Sequence, residues 1–371
     1  MASKVYFTDM RCEPGRNLQQ KLEKLIRRAG IAEIDMDHQM VAIKAHFGEP
    51  GNLAFLRPNF SKTVADVIKS EGGVPFLTDC NTLYVGRRKN ALEHLDAAFE
   101  NGFSPLSTGC QIIIADGLKG TDDVEVPVPG GEYVKTAKIG RAIMDADVII
   151  SLNHFKGHEL AGFGGAIKNL GMGCGSRAGK MEQHNSGKPT VDPSVCRGCR
   201  KCARYCAQSA IGFVDGKACI DHNKCAGYGR CIGICAFDAI QPSEDSAEHD
   251  LCCKMAEYSK AVVYGRPSFH ITVVMDVSPY CDCHGENDAP LIQDVGMFAS
   301  FDPVALDQAC FDAVHARMPL PGTMLTDNHP DGNYGNDYFH GVFDNTNGID
   351  MVIHAEKIGL GSREYELITI N

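Results

Sequence analysis

Residues 148–173, VIISLNHFKGHELAGFGGAIKNLGMG, decide the fold class of this chain. They open on a β-branched apolar run, Val148 to Ser151, turn polar over Asn153-His154-Phe155-Lys156-Gly157-His158, and continue into a glycine-rich segment ending in Ala166-Ile167-Lys168-Asn169-Leu170-Gly171-Met172-Gly173. A short apolar run that breaks into polar residues reads as a buried strand of an α/β sheet, followed by the kind of loop in which such sheets hold ligands. Similar runs stand at Val41 to Ala45, Val74 to Leu77 and Gln111 to Ala115. Helical patterns at Leu18 to Arg28, Lys62 to Ser70, Asn90 to Asn101 and Thr136 to Asp145 separate them. Strands alternating with helices predict an α/β domain with a largely parallel sheet.

Downstream, the same pattern resumes with a helix over Ser246 to Tyr264, a strand over Phe269 to Asp276, and a helix started by the N-cap Asp302 and by Pro303. The stretch Thr326 to Asn347 reads as a polar loop and Met351 to Ile358 as a closing helix. Between the two α/β parts lies a cysteine-dense segment with too few apolar residues to fold without a ligand. The expected organisation is therefore an α/β domain over 1–188 and 243–371, interrupted by an inserted ferredoxin-like α+β module over 189–242.

Composition narrows the function. The 371 residues carry 36 Lys and Arg against 47 Asp and Glu, a net charge of −11, so neither nucleic acid nor an anionic membrane is an expected partner. No apolar run approaches a membrane span, and the amino terminus lacks the apolar core of a secretory signal, so the expected compartment is the cytoplasm. Seventeen cysteines in a reducing compartment point to clustered thiolates that bind metal.

Cys196, Cys199, Cys202 and Cys206 have the C-x2-C-x2-C-x3-C spacing that wraps one iron–sulfur cubane and sends its fourth thiolate to a second cluster. Cys225, Cys231 and Cys235 repeat the motif, with Tyr228 where the second ligand would stand. Cross-ligation assigns Cys196, Cys199, Cys202 and Cys235 to a 4Fe-4S cluster. Cys206, Cys225 and Cys231 go to a second one that either has an open corner or is a 3Fe-4S cluster. Cys219 is the alternative fourth ligand. Arg197, Arg200, Lys201 and Arg204 form a basic group beside the module, suited to a redox partner protein or to compensating cluster charge.

The residues after each strand predict a pocket. Lys44-Ala45-His46-Phe47-Gly48-Glu49, Asp79-Cys80-Asn81, Asp116-Gly117, the 153–158 segment and Cys281-Asp282-Cys283-His284 would converge on one sheet edge. His154, His158 and Lys168 are the candidate catalytic residues, and His46, Asp79, Asn81, Lys156, Gly164, Gly165 and Asn169 the candidate binding residues for a small anionic molecule. The glycines could equally serve close packing. His154 and His158 could hold a metal with His184, Cys174 or His46, and Cys281 and Cys283 could clamp one or stay reduced. Cys252 and Cys253 read as packing residues.

The 154–158 and 164–173 segments, the cysteine module, Ser300-Phe301-Asp302-Pro303-Val304-Ala305-Leu306-Asp307 and Gly359-Leu360-Gly361-Ser362-Arg363-Glu364-Tyr365 together resemble the iron–sulfur centre proteins of domain of unknown function 362. That resemblance implies iron–sulfur clusters, an α/β domain with a ferredoxin-type insertion, and a largely anaerobic setting, but no settled reaction. Tyr228 departs from the family's usual second motif. Three functions are compatible with these residues: an oxidoreductase relaying electrons through two clusters to an anionic substrate or cofactor, non-redox catalysis (lyase, hydratase or sulfur transfer) at the open cluster, or an electron carrier or metal and cluster assembly factor. A homodimer is compatible with each.

Overall fold

The computed structural model describes residues 2–370 apart from 85, 185–187, 207, 226–229 and 243–247. Its centre is an eight-stranded sheet, ordered Tyr365–Thr369, Ser3–Asp9, Gly296–Ser300, Ser268–Val274, Val148–His154, Met40–Lys44, Val74–Asp79, Gln111–Ile114. Gly296–Ser300 runs antiparallel to both neighbours and every other pairing is parallel. The α/β sheet is thus largely parallel, as the alternating pattern predicts. Seven strands consequently deliver their carboxyl ends to one edge.

Both faces of the sheet are covered, which is why its strands read as continuous apolar runs. Val41, Ile43, Ile150 and Leu152 pack against Leu22, Leu25, Val64 and Ile68 of the Leu18–Arg28 and Pro58–Ser70 helices. Ala42 and Ile149, one residue out of step, face Leu170 and Tyr258 on the other side. That second side is built by the Ala166–Cys174, Glu248–Val263, Pro303–His315 and Ile349–Lys357 helices. The Asp302 carboxylate caps its helix by accepting from the Val304 and Ala305 N–H groups, with Pro303 at the first position. None of the described helices is long and apolar enough to cross a membrane.

Three expectations need correction. Thr136 to Asp145 is a strand, Thr136–Gly140, and only then a short helix, Arg141–Asp145. Ala137 and Ile139 are buried at a spacing of two while Thr136 and Lys138 are partly exposed, and the segment pairs antiparallel with Asp123–Pro127. Five residues of alternation are too few to stand out beside the helical pattern of residues 141–145. The stretch 326–347 is not a plain loop: Met324–Asn328 and Tyr338–Val342 are short helices anchored by buried Leu325, Phe339 and Val342. The expected strand end at Ser151 moves to His154, because the parallel pairing with Ser268–Val274 continues to Val273 opposite His154.

The segment 189–242 begins and ends at one place, since Pro189–Val191 pairs antiparallel with Ile240–Pro242. Between them lie the Ile211–Val214 and Lys217–Ile220 hairpin and the short Lys201–Arg204 and Arg230–Ile234 helices. Its small core of Ile211, Ala218, Ile232, Ala239 and Ile240 includes Leu83 and Met181 from the α/β part. A Lys89–Asp238 ion pair and Lys119, 4.7 Å above the Tyr205 ring, add polar contacts between the two parts.

Candidate functional site

At the carboxyl edge of the sheet the post-strand segments enclose a cavity of about 590 Å³. His46 and Glu49 come from the segment after Met40–Lys44, Asp79 and Cys80 from the end of Val74–Asp79, and Lys156 and His158 from beyond Val148–His154. Lys168 and Asn169 lie on the Ala166–Cys174 helix, and Cys281, Cys283 and His284 on the loop after Ser268–Val274. Gly165 also lines it, and Gln241, in the closing strand of the cysteine module, completes the wall.

The structure thus brings together His46, Asp79, Lys156, His158, Gly165, Lys168 and Asn169. His154, Asn81 and Gly164 sit behind this wall. The Nδ1 of His154 is 2.9 Å from Asp282 and its Nε2 is 2.8 Å from the Met275 carbonyl. It therefore fastens the 275–284 loop to the sheet. Asn81 donates to Asp116 and the Gly117 carbonyl, joining two neighbouring loops. Gly164 lies beside the Lys168 stem, which a Cβ there would meet at 3.1 Å.

The glycine-rich segment is explained by close approach. A Cβ on Gly165 would stand 2.3 Å from Asp307 Oδ1, and one on Gly171 would stand 2.1 Å from the Met255 carbonyl oxygen. Asp307 accepts from the Ala166 and Ile167 N–H groups, so the start of this helix already holds a carboxyl group. The positive end of the helix is taken up, and the cations lining the cavity are side chains.

Those cations are individually anchored. Lys44 is buried behind the wall, 2.9 Å from Asp79 and 2.7 Å from Asn169 Oδ1. Burial works against ionised Asp79, but the Lys44 ammonium beside it holds it below the usual carboxylate range. Lys156 lies 3.3 Å from Asp282. Arg88 donates to Glu49 at 2.7 Å and to the Cys283 carbonyl at 3.3 Å, and approaches His46 Nε2 at 2.8 Å. Burial and then Arg88 push His46 well below its ordinary value, so its ring is neutral. Arg88, Glu159 and Tyr84 belong to the wall and were not among the predicted residues. The run Arg87-Arg88-Lys89 in a loop was the available signal for the first.

At the other side of the cavity, Lys168 Nζ is 3.5 Å from Cys281 Sγ. Although burial opposes it, the Cys281 and Cys283 sulfurs and Glu159 keep Lys168 protonated. A hydrogen bond to Cys283, then burial, pushes Cys281 up to about 12, and the same bond pulls Cys283 down. Of the two, Cys283 is therefore the sulfur that gives up its proton more readily. Burial and then Lys168 lower His158 to about 4. Its Nδ1 accepts from the Leu160 and Ala161 N–H groups at 3.1 Å each, so the neutral ring carries its hydrogen on Nε2.

The cysteine module gathers thiols in two places. Cys196, Cys199, Cys202 and Cys235 line a small cavity together with Phe213 and Phe237. Backbone N–H groups of Gly198 and Ala218 each point at Cys196 Sγ from 3.4 Å and, led by Ala218, lower its pKa. Gly198 is needed there: it has φ +65°, and a Cβ would stand 2.2 Å from the Gly216 carbonyl oxygen. Cys231 has Cys225, Cys202 and Cys206 within electrostatic reach, and the Ala210 N–H points at Cys206 Sγ from 3.3 Å. An all-sulfur donor set with N–H groups aimed at the sulfurs fits an iron–sulfur centre. Cys219 is exposed on the hairpin, in a separate groove with Val191 and His222. Tyr228 lies outside the described residues. Arg197, Arg200, Lys201 and Arg204 are exposed, with Arg200 4.9 Å above the Phe213 ring. Cys252 is a core residue, and Cys253 beside it is buried too.

A family model described as a domain of unknown function, DUF362, matches residues 41–312. The chain belongs to the DUF362 family. Within this DUF362 protein the matched span covers the cavity loops and the whole cysteine module. A 131-residue stretch, 34% of the chain, is 28% identical to the thylakoid-associated protein sll1697 of Synechocystis sp.. That match spans about a third of the cyanobacterial protein, 35%. Among solved structures, the chain is similar to the lactate racemase apoprotein of Thermoanaerobacterium thermosaccharolyticum, at 14% identity and TM-score 0.36, over 74% of this chain and 51% of that one. A Thermotoga maritima protein solved by the Northeast Structural Genomics Consortium is similar at 12% identity and TM-score 0.40, over 83% and 60% of the two chains.

Proposed function

We propose that this DUF362 protein is an iron–sulfur oxidoreductase that passes electrons through two clusters to a small anionic substrate or cofactor in the strand-end cavity. The observation that carries the reading is the continuity of module and cavity: Gln241, one residue beyond the Ile240 that packs in the cysteine core, lines the same wall as Lys156 and Lys168. Cys196, Cys199, Cys202 and Cys235 would hold one cluster and Cys206, Cys225 and Cys231 the second. When bound, such clusters supply single electrons.

The rest falls to side chains of the α/β part. Lys156 and Lys168 give an anion two positive contacts in a partly enclosed cavity, where such contacts are stronger than on an open surface. His158 presents its Nε2–H to whatever these lysines hold and can donate a hydrogen bond to a developing negative charge. Neutral His46, fixed by the Gly48 N–H at its Nδ1 and by Arg88 at its Nε2, lines the cavity as a polar wall residue.

The test is a stepwise reductive titration of anaerobically prepared protein, followed by electron paramagnetic resonance. Two reducible centres are expected, one lost in Cys202→Ser and the other in Cys231→Ser. Lys168→Met should weaken binding of a small carboxylate roughly tenfold or more while leaving both signals intact. Signals that vanish together in either cysteine variant would refute two separate centres.

A further inference from the structure

We propose that Cys281 and Cys283 form a redox-active dithiol that exchanges with a small anionic disulfide in the cavity. The inference rests on reading the cavity as an anion site and does not require the clusters. The two cysteines flank Asp282 in a tight turn closed by the His284 N–H to the Cys281 carbonyl at 3.0 Å, and both line the cavity. Their sulfurs and a His158 nitrogen lie within 4.8 Å of one another.

The two sulfurs are unlike. Cys281 is wholly buried and Cys283 partly exposed, so an incoming molecule reaches Cys283 first. Cys281 is the proton donor of the pair and Cys283 the favoured thiolate, with Lys168 beside them and Arg88 on the Cys283 carbonyl. An accessible thiolate in a positive environment, next to a buried resolving thiol, is the arrangement that thiol–disulfide exchange needs. Cys80 also lines the cavity, but burial holds it as an inert thiol.

A metal ion on the same three residues would need a different histidine. Metal-bound histidines donate their remaining ring N–H to an oxygen. His158 Nδ1 instead accepts two backbone N–H groups, which leaves Nε2 protonated and unable to ligate. Two sulfurs about 2.3 Å from an ion do not make a closed site by themselves.

The reaction balances without another reagent. The Cys283 thiolate attacks one sulfur of R–S–S–R, the S–S bond breaks, and one R–S⁻ leaves from a mixed disulfide on Cys283. Cys281 then loses its proton to a departing thiolate and attacks Cys283 Sγ. The second R–S⁻ leaves as the Cys281–Cys283 disulfide forms. The dithiol loses two electrons, the substrate gains them, and the Cys281 proton ends on one of the two thiol products. Lys156 and Lys168 supply charge for the acidic groups of R.

The experiment treats anaerobic holoprotein with dithiodiglycolate or with the cationic disulfide cystamine, and maps residues 281–283 by peptide mass. Calorimetry with dithiodiglycolate runs in parallel. The proposal expects a Cys281–Cys283 disulfide, formed roughly tenfold faster or more with dithiodiglycolate. Cys281→Ser should trap a mercaptoacetate adduct on Cys283, and Cys283→Ser should give no adduct on Cys281. Dithiodiglycolate that binds without exchange would overturn the dithiol and leave the anion site standing. Exchange at equal rates with both disulfides would overturn the anionic substrate class and the anion site with it. A stoichiometric metal lost in both variants, but kept in Cys202→Ser, would overturn the dithiol in favour of a metal centre.

Discussion

Lowering the pH from about 6.5 to 4 is expected to destabilise the protein by several kcal/mol, because four histidines, His46, His94, His158 and His270, are buried in the neutral form. Burial holds His94 and His270 down to about 3, and burial with Lys168 holds His158 at about 4. As the pH falls below the ordinary histidine value, the unfolded chain takes up protons that the folded chain refuses. Each histidine then costs up to about 1.4 kcal/mol per pH unit, until its own folded pKa is reached. His94 packs 5.6 Å from the Phe47 ring and neither of its nitrogens has a hydrogen-bond partner among the described residues, so nothing nearby compensates a charge except Asp79 at 3.7 Å. Below pH 4 a second loss sets in as Asp79 and Asp282, both held low by neighbouring cations, are finally protonated. Urea unfolding at steps between pH 7 and 4 checks this. A midpoint that stays constant would show that the histidines are solvated or already charged.

Lys44→Met should cost about 3–5 kcal/mol, the penalty for stranding the partner of a buried ion pair. The Lys44 ammonium is the near neighbour of Asp79 and also satisfies Asn169 Oδ1, whose amide in turn donates to the Lys44 and Leu152 carbonyls and to Asn153. One side chain therefore ties two central strands to the Ala166–Cys174 helix. Urea unfolding of the single variant and of Lys44→Met with Asp79→Asn separates the contributions. The double variant should recover part of the loss, because it removes the uncompensated charge. A single variant as stable as the parent would mean that Asp79 has another partner.

The sequence was most legible where one local rule acts alone. The Leu18–Arg28 helix has its predicted limits because Asn17 and Gln20 cap each other's backbone and the apolar spacing is regular. The five strands from Ser268–Val274 to Gln111–Ile114 in the sheet order stand out through their apolar runs. Ser3–Asp9, Gly296–Ser300 and Tyr365–Thr369 do not: two of the three lack a continuous apolar run, and their partners lie far away in sequence. Strand-end chemistry was legible as a set of residues, since a parallel sheet brings all such loops to one edge. Which side chains enter the cavity was not. His154 and His158 look alike in the sequence, but the carbonyl of Met275 and the carboxylate of Asp282, more than a hundred residues away, claim His154. Likewise Asp307 decides what the glycine-rich segment binds, and only the folded chain places it against Gly165.

The most direct test of the central claim is the iron and acid-labile sulfide content of protein purified without oxygen. About eight iron and eight sulfide per chain are expected, or about seven iron if the second centre is of the 3Fe-4S form, with a loss of about half in Cys202→Ser. One or two zinc ions per chain with no sulfide would contradict it.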